Sequence, residues 1–237
     1  MADKPPRTRK RSTAEQTLVA PPRPTAPGSK AARVVMASEP AGATAEAIRA
    51  LRTRVVSQHI YAGGRALALC GPTPEVGCTF LAANLAVALA QVGMKTLLID
   101  CDMRNPALQE YFVVDEVGGG LHAALTAGDD VNDLVKPDVH PNLDILFAGK
   151  ADLAAQELLS SDRFTELANA CLRDYDITIV DTPPANSCAD GRRVSTIFGY
   201  SLIVARKNRT LVADVRTLAD QLVKERATVI GSVLNSF

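Results

Sequence analysis

Two strand-length apolar runs in this chain end in aspartate: Thr96-Leu97-Leu98-Ile99-Asp100 and Ile177-Thr178-Ile179-Val180-Asp181. A run that is apolar at nearly every position, rather than at every second one, reads as a strand covered on both faces. Similar runs stand at Ala66–Cys70, Leu143–Phe147, Ser201–Ala205 and Thr228–Leu234. Between them lie stretches with helical periodicity at Thr79–Val92, Ala154–Ser160, Arg163–Arg173 and Val212–Arg226, and residues 42–58 read as a further helix. Strand–helix alternation implies βαβ units, and therefore an α/β fold with a doubly wound, mostly parallel sheet.

The first forty residues have a different composition. They hold half of the fourteen prolines, basic residues from Lys4 to Arg33, and few large apolar groups. Such a segment cannot offset its ordering entropy, so the expectation is a disordered tail over 1–40 and a single domain over 41–237. The tail's short run Arg7, Arg9, Lys10, Arg11 allows either a solvated leader or a peripheral contact with anionic lipid.

The whole chain carries 26 basic and 26 acidic residues, which removes the net positive field of a nucleic-acid binder. The most apolar stretch, Phe80 to Ile99, is interrupted by Asn84, Gln91, Gly93 and Lys95, so no membrane span is expected. Five cysteines in no metal-binding spacing read as reduced thiols of a cytoplasmic protein. His59, His122 and His140 are isolated and read as surface or packing residues. The Gly118-Gly119-Gly120 run reads as a loop.

Three elements carry chemistry. The first is Gly71-Pro72-Thr73-Pro74-Glu75-Val76-Gly77-Cys78-Thr79, which joins a strand to an Ala-rich helix. It is either a tight turn or a phosphate-binding loop, in which Gly77 and Thr79 fit the final glycine and the Mg²⁺-binding hydroxyl. Cys78 stands where the loop's lysine belongs; it reads either as a plain replacement of that lysine, the favoured reading, or as a thiol whose pKa the helix N-terminus lowers. The second element places Asp100, Asp102 and Arg104 at the carboxyl end of a strand, the edge where ligands bind in open α/β sheets. It reads as a metal-water and phosphate site or as a solvated Asp–Arg pair. The third is Asp181-Thr182-Pro183-Pro184, whose aspartate would hold Mg²⁺ through water.

In order and spacing these elements resemble the bacterial tyrosine kinases of polysaccharide biosynthesis, which share the deviant P-loop fold of the ParA/MinD branch. Also matching are Asn84-Leu85-Ala86, Ile99 to Pro106, Leu158-Leu159-Ser160-Ser161, Asp190 and Val233-Leu234-Asn235. The resemblance implies ATP or ADP with Mg²⁺ as cofactors, contacts from Gly77, Cys78, Thr79 and Arg104, metal held by Thr79, Asp100 and Asp181, and catalysis by Asp100 and Asp102. It also implies self-association through the E-x-x-R-x-x-R helix of Glu46, Arg49 and Arg52. The implied setting is the inner face of a bacterial membrane, with a polysaccharide copolymerase or chain-length protein as partner.

The chain departs from that family in its loop. Members carry Pro-Gly-Glu-Gly-Lys-Ser/Thr, whereas here Glu75 replaces a glycine and Cys78 the lysine. The four tyrosines, Tyr61, Tyr111, Tyr175 and Tyr200, are scattered, where members have a C-terminal cluster. The expectation is a catalytically impaired subunit. The alternatives are an autokinase using Lys95, Arg104 or Lys207 as a surrogate cation, and a positioning ATPase of the ParA/MinD type.

Overall fold

The structure is a computed structural model that describes residues 33–186 and 188–236. Residues 1–32, and with them most of the expected tail, lie outside the described residues. In chain order the elements are α1 (Val35–Ser38), α2 (Ala43–Val55), β1 (Ala66–Cys70), α3 (Cys78–Ala90), β2 (Thr96–Asp100), α4 (Gly120–Thr126) and α5 (Val131–Leu134). They continue with β3 (Lys136–His140), β4 (Leu143–Leu146), α6 (Ala155–Leu159), α7 (Asp162–Asp174), β5 (Ile177–Asp181), α8 (Asp190–Phe198), β6 (Tyr200–Arg206), α9 (Val212–Lys224) and β7 (Thr228–Asn235).

The described strands form one sheet in the order β3-β4-β2-β5-β1-β6-β7, and only the β3–β4 pair is antiparallel. The expected doubly wound α/β architecture is present. Strands β1, β2 and β5 are buried along their whole length, in keeping with their unbroken apolar composition. One core fills the face under α2 and α3; the other fills the face under α4, α6, α7, α8 and α9.

Helix α3 has no polar face: every residue from Leu81 to Ala90 is buried. It is pressed between the sheet and α2, and its alanines let α2 approach closely. Helix α2 contributes Ala45, Ile48 and Val55 to this seam; burying the two larger side chains stabilises by about 1.5–3 kcal/mol each. Asn84, fully buried on α3, ties in the segment before α2. Its Oδ1 accepts from Met36 N at 3.2 Å, while Nδ2 donates to Phe80 O at 2.9 Å and Arg33 O at 3.3 Å. On the other face, Ser161 caps α7 by accepting from Phe164 N at 3.2 Å.

Several expectations need correction. Gly120 opens a helix, α4, because Leu121 N and His122 N donate to the Phe147 and Ala148 carbonyls and dock that helix start on the end of β4. His59 is a buried packing residue, with Nε2 2.8 Å from Ala66 O and its ring edge-on to Tyr200. His122 is not isolated: Nε2 lies 3.0 Å from Asp152 Oδ2. All five cysteines are free, with Cys78 and Cys188 only half-buried.

Asn84 supplies a test of this packing. Asn84→Ala leaves the Met36 N–H without its buried acceptor, an expected cost of about 1–3 kcal/mol. Urea unfolding of the variant against the parent reads it directly.

Candidate active site at the carboxyl edge of the sheet

Parallel pairing brings the chemistry together. Asp100 on β2 is in register with Asp181 on β5, so two strand-end carboxylates stand side by side, both buried. Asp100 is partly satisfied: its oxygens accept from Asp102 N at 3.0 Å and Leu108 N at 3.2 Å. Neither Asp181 oxygen has a hydrogen-bond partner of normal geometry, although the nearby Thr79 hydroxyl favours its charged form. Asp102, half-buried, accepts from Asn105 N at 3.0 Å.

Burial dominates the electrostatics here. It pushes Asp100 up to about 7, with the Asp102 charge adding to the rise and the Leu108 bond opposing it. It raises Asp181 well above the usual carboxylate range, with the Asp100 charge next in weight. Asp102 is raised by burial as well.

The loop before α3 overlies these acids. Gly77 caps α3 at φ 95° and ψ 32°, and no side chain caps that helix. The helix therefore begins with free N–H groups and a positive dipole end at the crevice wall. Gly71 is required at its place: a Cβ there would lie 2.3 Å from Val76 Cγ2 and 3.1 Å from Cys78 Sγ. Glu75 takes φ 60°, a left-handed conformation that costs an L residue about 1–2 kcal/mol and that glycine adopts freely. Three contacts hold this strained turn. Arg209 pairs with the Glu75 carboxylate at 2.6 Å, Arg206 donates to Glu75 O at 3.1 Å, and Asn235 donates to Val76 O at 3.1 Å.

The result is a crevice of about 680 Å³. Its walls include Thr73, Gly77, Cys78, Thr79, Asp102 and Arg104, with Pro183 and Pro184 on the β5 side and Tyr111 at the mouth. The structure thus gathers Gly77, Cys78, Thr79, Asp100, Asp102, Arg104 and Asp181 in one place. It does not gather Glu46, Arg49 and Arg52, which lie on α2. There Arg49 bonds Glu46 at 3.2 Å and Pro40 O at 2.6 Å, and Arg52 donates to Ala88 O at 3.3 Å.

The proposed surrogate cations separate cleanly. Lys95 precedes β2 and sits at the opposite edge of the sheet, where its Nζ lies 4.7 Å from the Tyr175 ring centroid. Lys207 is exposed and does not line the crevice. Arg104 does line it; its Nε donates to Asp190 Oδ2 at 2.6 Å. The reading of Cys78 as an acidified thiol is overturned. Burial and the Asp181 charge push the thiol well above its ordinary value and outweigh the helix dipole. At neutral pH, Cys78 therefore carries no charge of either sign. Sequence reasoning valued Asp190 only as a family match, and its ion pair with Arg104, 86 residues away, has no local signal.

The acids fit a hydrated divalent cation better than a bare one. Among the described residues no three His, Cys, Asp or Glu side chains converge as direct ligands. Mg²⁺ typically keeps several waters and takes one or two carboxylates, which matches Asp181, Asp100 and the Thr79 hydroxyl.

Titration of Asp100 gives a stability test. Its folded pKa exceeds its unfolded one, so the folded state binds the extra proton between about pH 4 and 7. Stability from this group is present below pH 4 and is lost as pH rises toward 7. Asp100→Asn should therefore gain stability relative to the parent between pH 5 and 8 without metal. Chemical unfolding at stepped pH measures the difference.

Comparison with known proteins accords with this geometry. The AAA domain family matches residues 71–207. EpsB of Ralstonia solanacearum is 37% identical over 192 residues, 81% of this chain and 25% of that protein. The tyrosine-protein kinase Wzc of Salmonella typhimurium is 33% identical over 207 residues, 87% of this chain and 29% of that protein. The chain thus spans about a quarter of the length of the curated relatives it matches. The solved kinase domain of Escherichia coli tyrosine kinase ETK superposes with a TM-score of 0.79 at 30% identity, covering 86% of this chain and 79% of that one. With its sheet order, its strand-end acids and its deviant loop, this chain belongs to the bacterial tyrosine kinase family.

Proposed function

We propose that this chain is a kinase-like domain with impaired phosphoryl transfer that serves exopolysaccharide or capsule assembly as a binding subunit. The observation that carries the reading is the start of α3. No lysine lines the crevice among the described residues, and the side chain in the lysine's place is a neutral thiol. Glu75 adds a carboxylate at the rim, tied to Arg209 but 72% exposed. A lost charge-assisted bond to phosphate costs about 1.5–3 kcal/mol, or roughly ten- to a hundredfold in affinity. The loss in transfer is larger, because the missing charge also acts where negative charge develops in the transition state.

Thr79, Asp100 and Asp181 would hold hydrated Mg²⁺ with ATP or ADP, and the metal would supply positive charge to offset that of the phosphates. The chain's own contribution is the free N–H groups at the start of α3 and the walls that exclude water. We place residues 41–237 in the docking unit, with the basic residues that precede Arg33 available for anionic lipid, since Val34 and Met36 are packed into the core. The occupied setting is the inner face of the membrane, where a copolymerase or chain-length protein is the partner. Self-association runs through α2, whose Glu46, though paired with Arg49, remains 76% exposed and within reach of a second copy. The presence of Arg104 on the crevice wall favours, as the second reading, an autokinase with a substituted cation.

Calorimetric titration with Mg·ATP and Mg·ADP separates these readings. The expected affinity is ten- to a hundredfold below that of Cys78→Lys, and γ-labelled ATP leaves the protein unlabelled. Labelling that disappears in Asp181→Asn would establish the autokinase instead. For the assembly surface, Arg52→Glu should shift sedimentation toward monomer with the melting curve little changed. Unaltered association would remove α2 from the interface.

A further inference from the structure

The crevice has three guanidinium groups on its walls, and they are held differently. Arg33 pairs with half-exposed Glu110, and Arg206 donates to the carbonyl of the exposed Glu75. Arg104 is held by Asp190, a carboxylate only 1% exposed in the first turn of α8. The bond is short, 2.6 Å, and uses Nε alone. Asp190 raises the Arg104 pKa further, chiefly through that bond. The other Asp190 oxygen has no hydrogen-bond partner of normal geometry, although the nearby Cys188 thiol interacts with this carboxylate.

Arg104 gives this buried carboxylate a single bond, and a pair serving only to stabilise the fold would gain more from two parallel bonds. A single bond through Nε has a different consequence. It fixes the plane of the guanidinium and leaves both Nη groups uncommitted among the described residues. That remaining edge is the planar donor fork that matches phosphate oxygens. The Arg104 side chain is 28% exposed and faces the same crevice as Cys78 and Thr79.

We propose that Asp190 is a positioning residue that holds Arg104 with its Nη fork open to the crevice, where the fork binds phosphate oxygens of a Mg-nucleotide in place of the missing lysine. This rests on the reading of the crevice as a nucleotide site. It goes beyond that reading in naming Asp190 as the residue that aims Arg104 and the Nη edge as the part that binds.

The test is a double-mutant cycle read by calorimetry with Mg·ADP and Mg·ATP, run on the full chain and in parallel on Cys78→Lys. Arg104→Ala is expected to weaken binding about tenfold or more in both. Asp190→Asn, nearly the same shape without the charge, should weaken it severalfold in the presence of Arg104 and have no further effect once Arg104 is alanine. Arg104→Lys should fail to restore affinity, because an ammonium has no Nε to latch and no fork to aim. Equal losses from Asp190→Asn with and without Arg104 would mark a structural tie and overturn the proposal; so would an Arg104→Ala chain that binds like its parent. If the unmodified chain gives no heat, the Cys78→Lys series decides by the same criteria. If Asp190→Asn does not fold, the contrast between Arg104→Lys and Arg104→Ala decides, and a lysine that restores binding overturns the aimed fork. Phosphoryl transfer by the unmodified chain would refute the impaired-subunit reading and leave this inference standing.

Discussion

The registered pair of Asp100 and Asp181 is the constraint around which the carboxyl edge of the sheet is arranged. Neighbouring strands lie about 4.8 Å apart, so two acids at paired positions cannot both be ionised in a dry site without a cation. The chain meets part of the cost locally. The turn after β2 folds back to give Asp100 two backbone N–H groups. Asp181 has less relief: neither oxygen has a hydrogen-bond partner of normal geometry, and the nearby Thr79 hydroxyl only partly offsets its burial, which leaves a place for a proton or a metal. Parallel pairing is what forces this juxtaposition, since β1, β2 and β5 all end at the same rim.

Replacing the loop's ammonium leaves that architecture standing because the loop's shape does not depend on the ammonium. Gly71 makes room for Val76, Gly77 supplies the left-handed cap, and Arg206, Arg209 and Asn235 hold the turn from outside. The α2–α3 seam is packed by apolar side chains that do not reach the crevice acids. Charge at the site and the packing of α2 are therefore largely separate contributions to stability. A chain can lose much of the first and keep the second.

How far all this is legible in the sequence depends on whether the signal is local. Six strands announce themselves as apolar runs, and Asp100, Asp181 and Thr79 follow from their ends. β3, with Lys136, Pro137 and Asp138, has neither the composition nor the alternation of a strand; it forms because β4 offers it an edge. α8 carried a readable signal in Val194, Ile197 and Phe198 at helical spacing, masked by the polar residues between them. Lys95 could have been excluded as a surrogate by arithmetic alone. It precedes a strand of five residues at about 3.3 Å each, which puts it at the wrong end of the sheet. The His122–Asp152 and Arg104–Asp190 pairs and the raised Cys78 pKa come from tertiary burial, for which no spacing rule exists.

Distance then decides what a cation on the wall can replace. At an effective dielectric of 20, two unit charges attract by about 4 kcal/mol at 4 Å and by about 2 kcal/mol at 8 Å. A lysine on the first turn of α3 would follow phosphates from within the loop, whereas Arg104, latched to α8, would meet them from one side. Binding falls slowly with such a displacement, because a ground-state polyphosphate spreads its charge over many oxygens. Transfer falls faster, because its charge develops at one place and a fixed group cannot follow it. On the proposed reading, a crevice built this way would hold nucleotide more readily than turn it over.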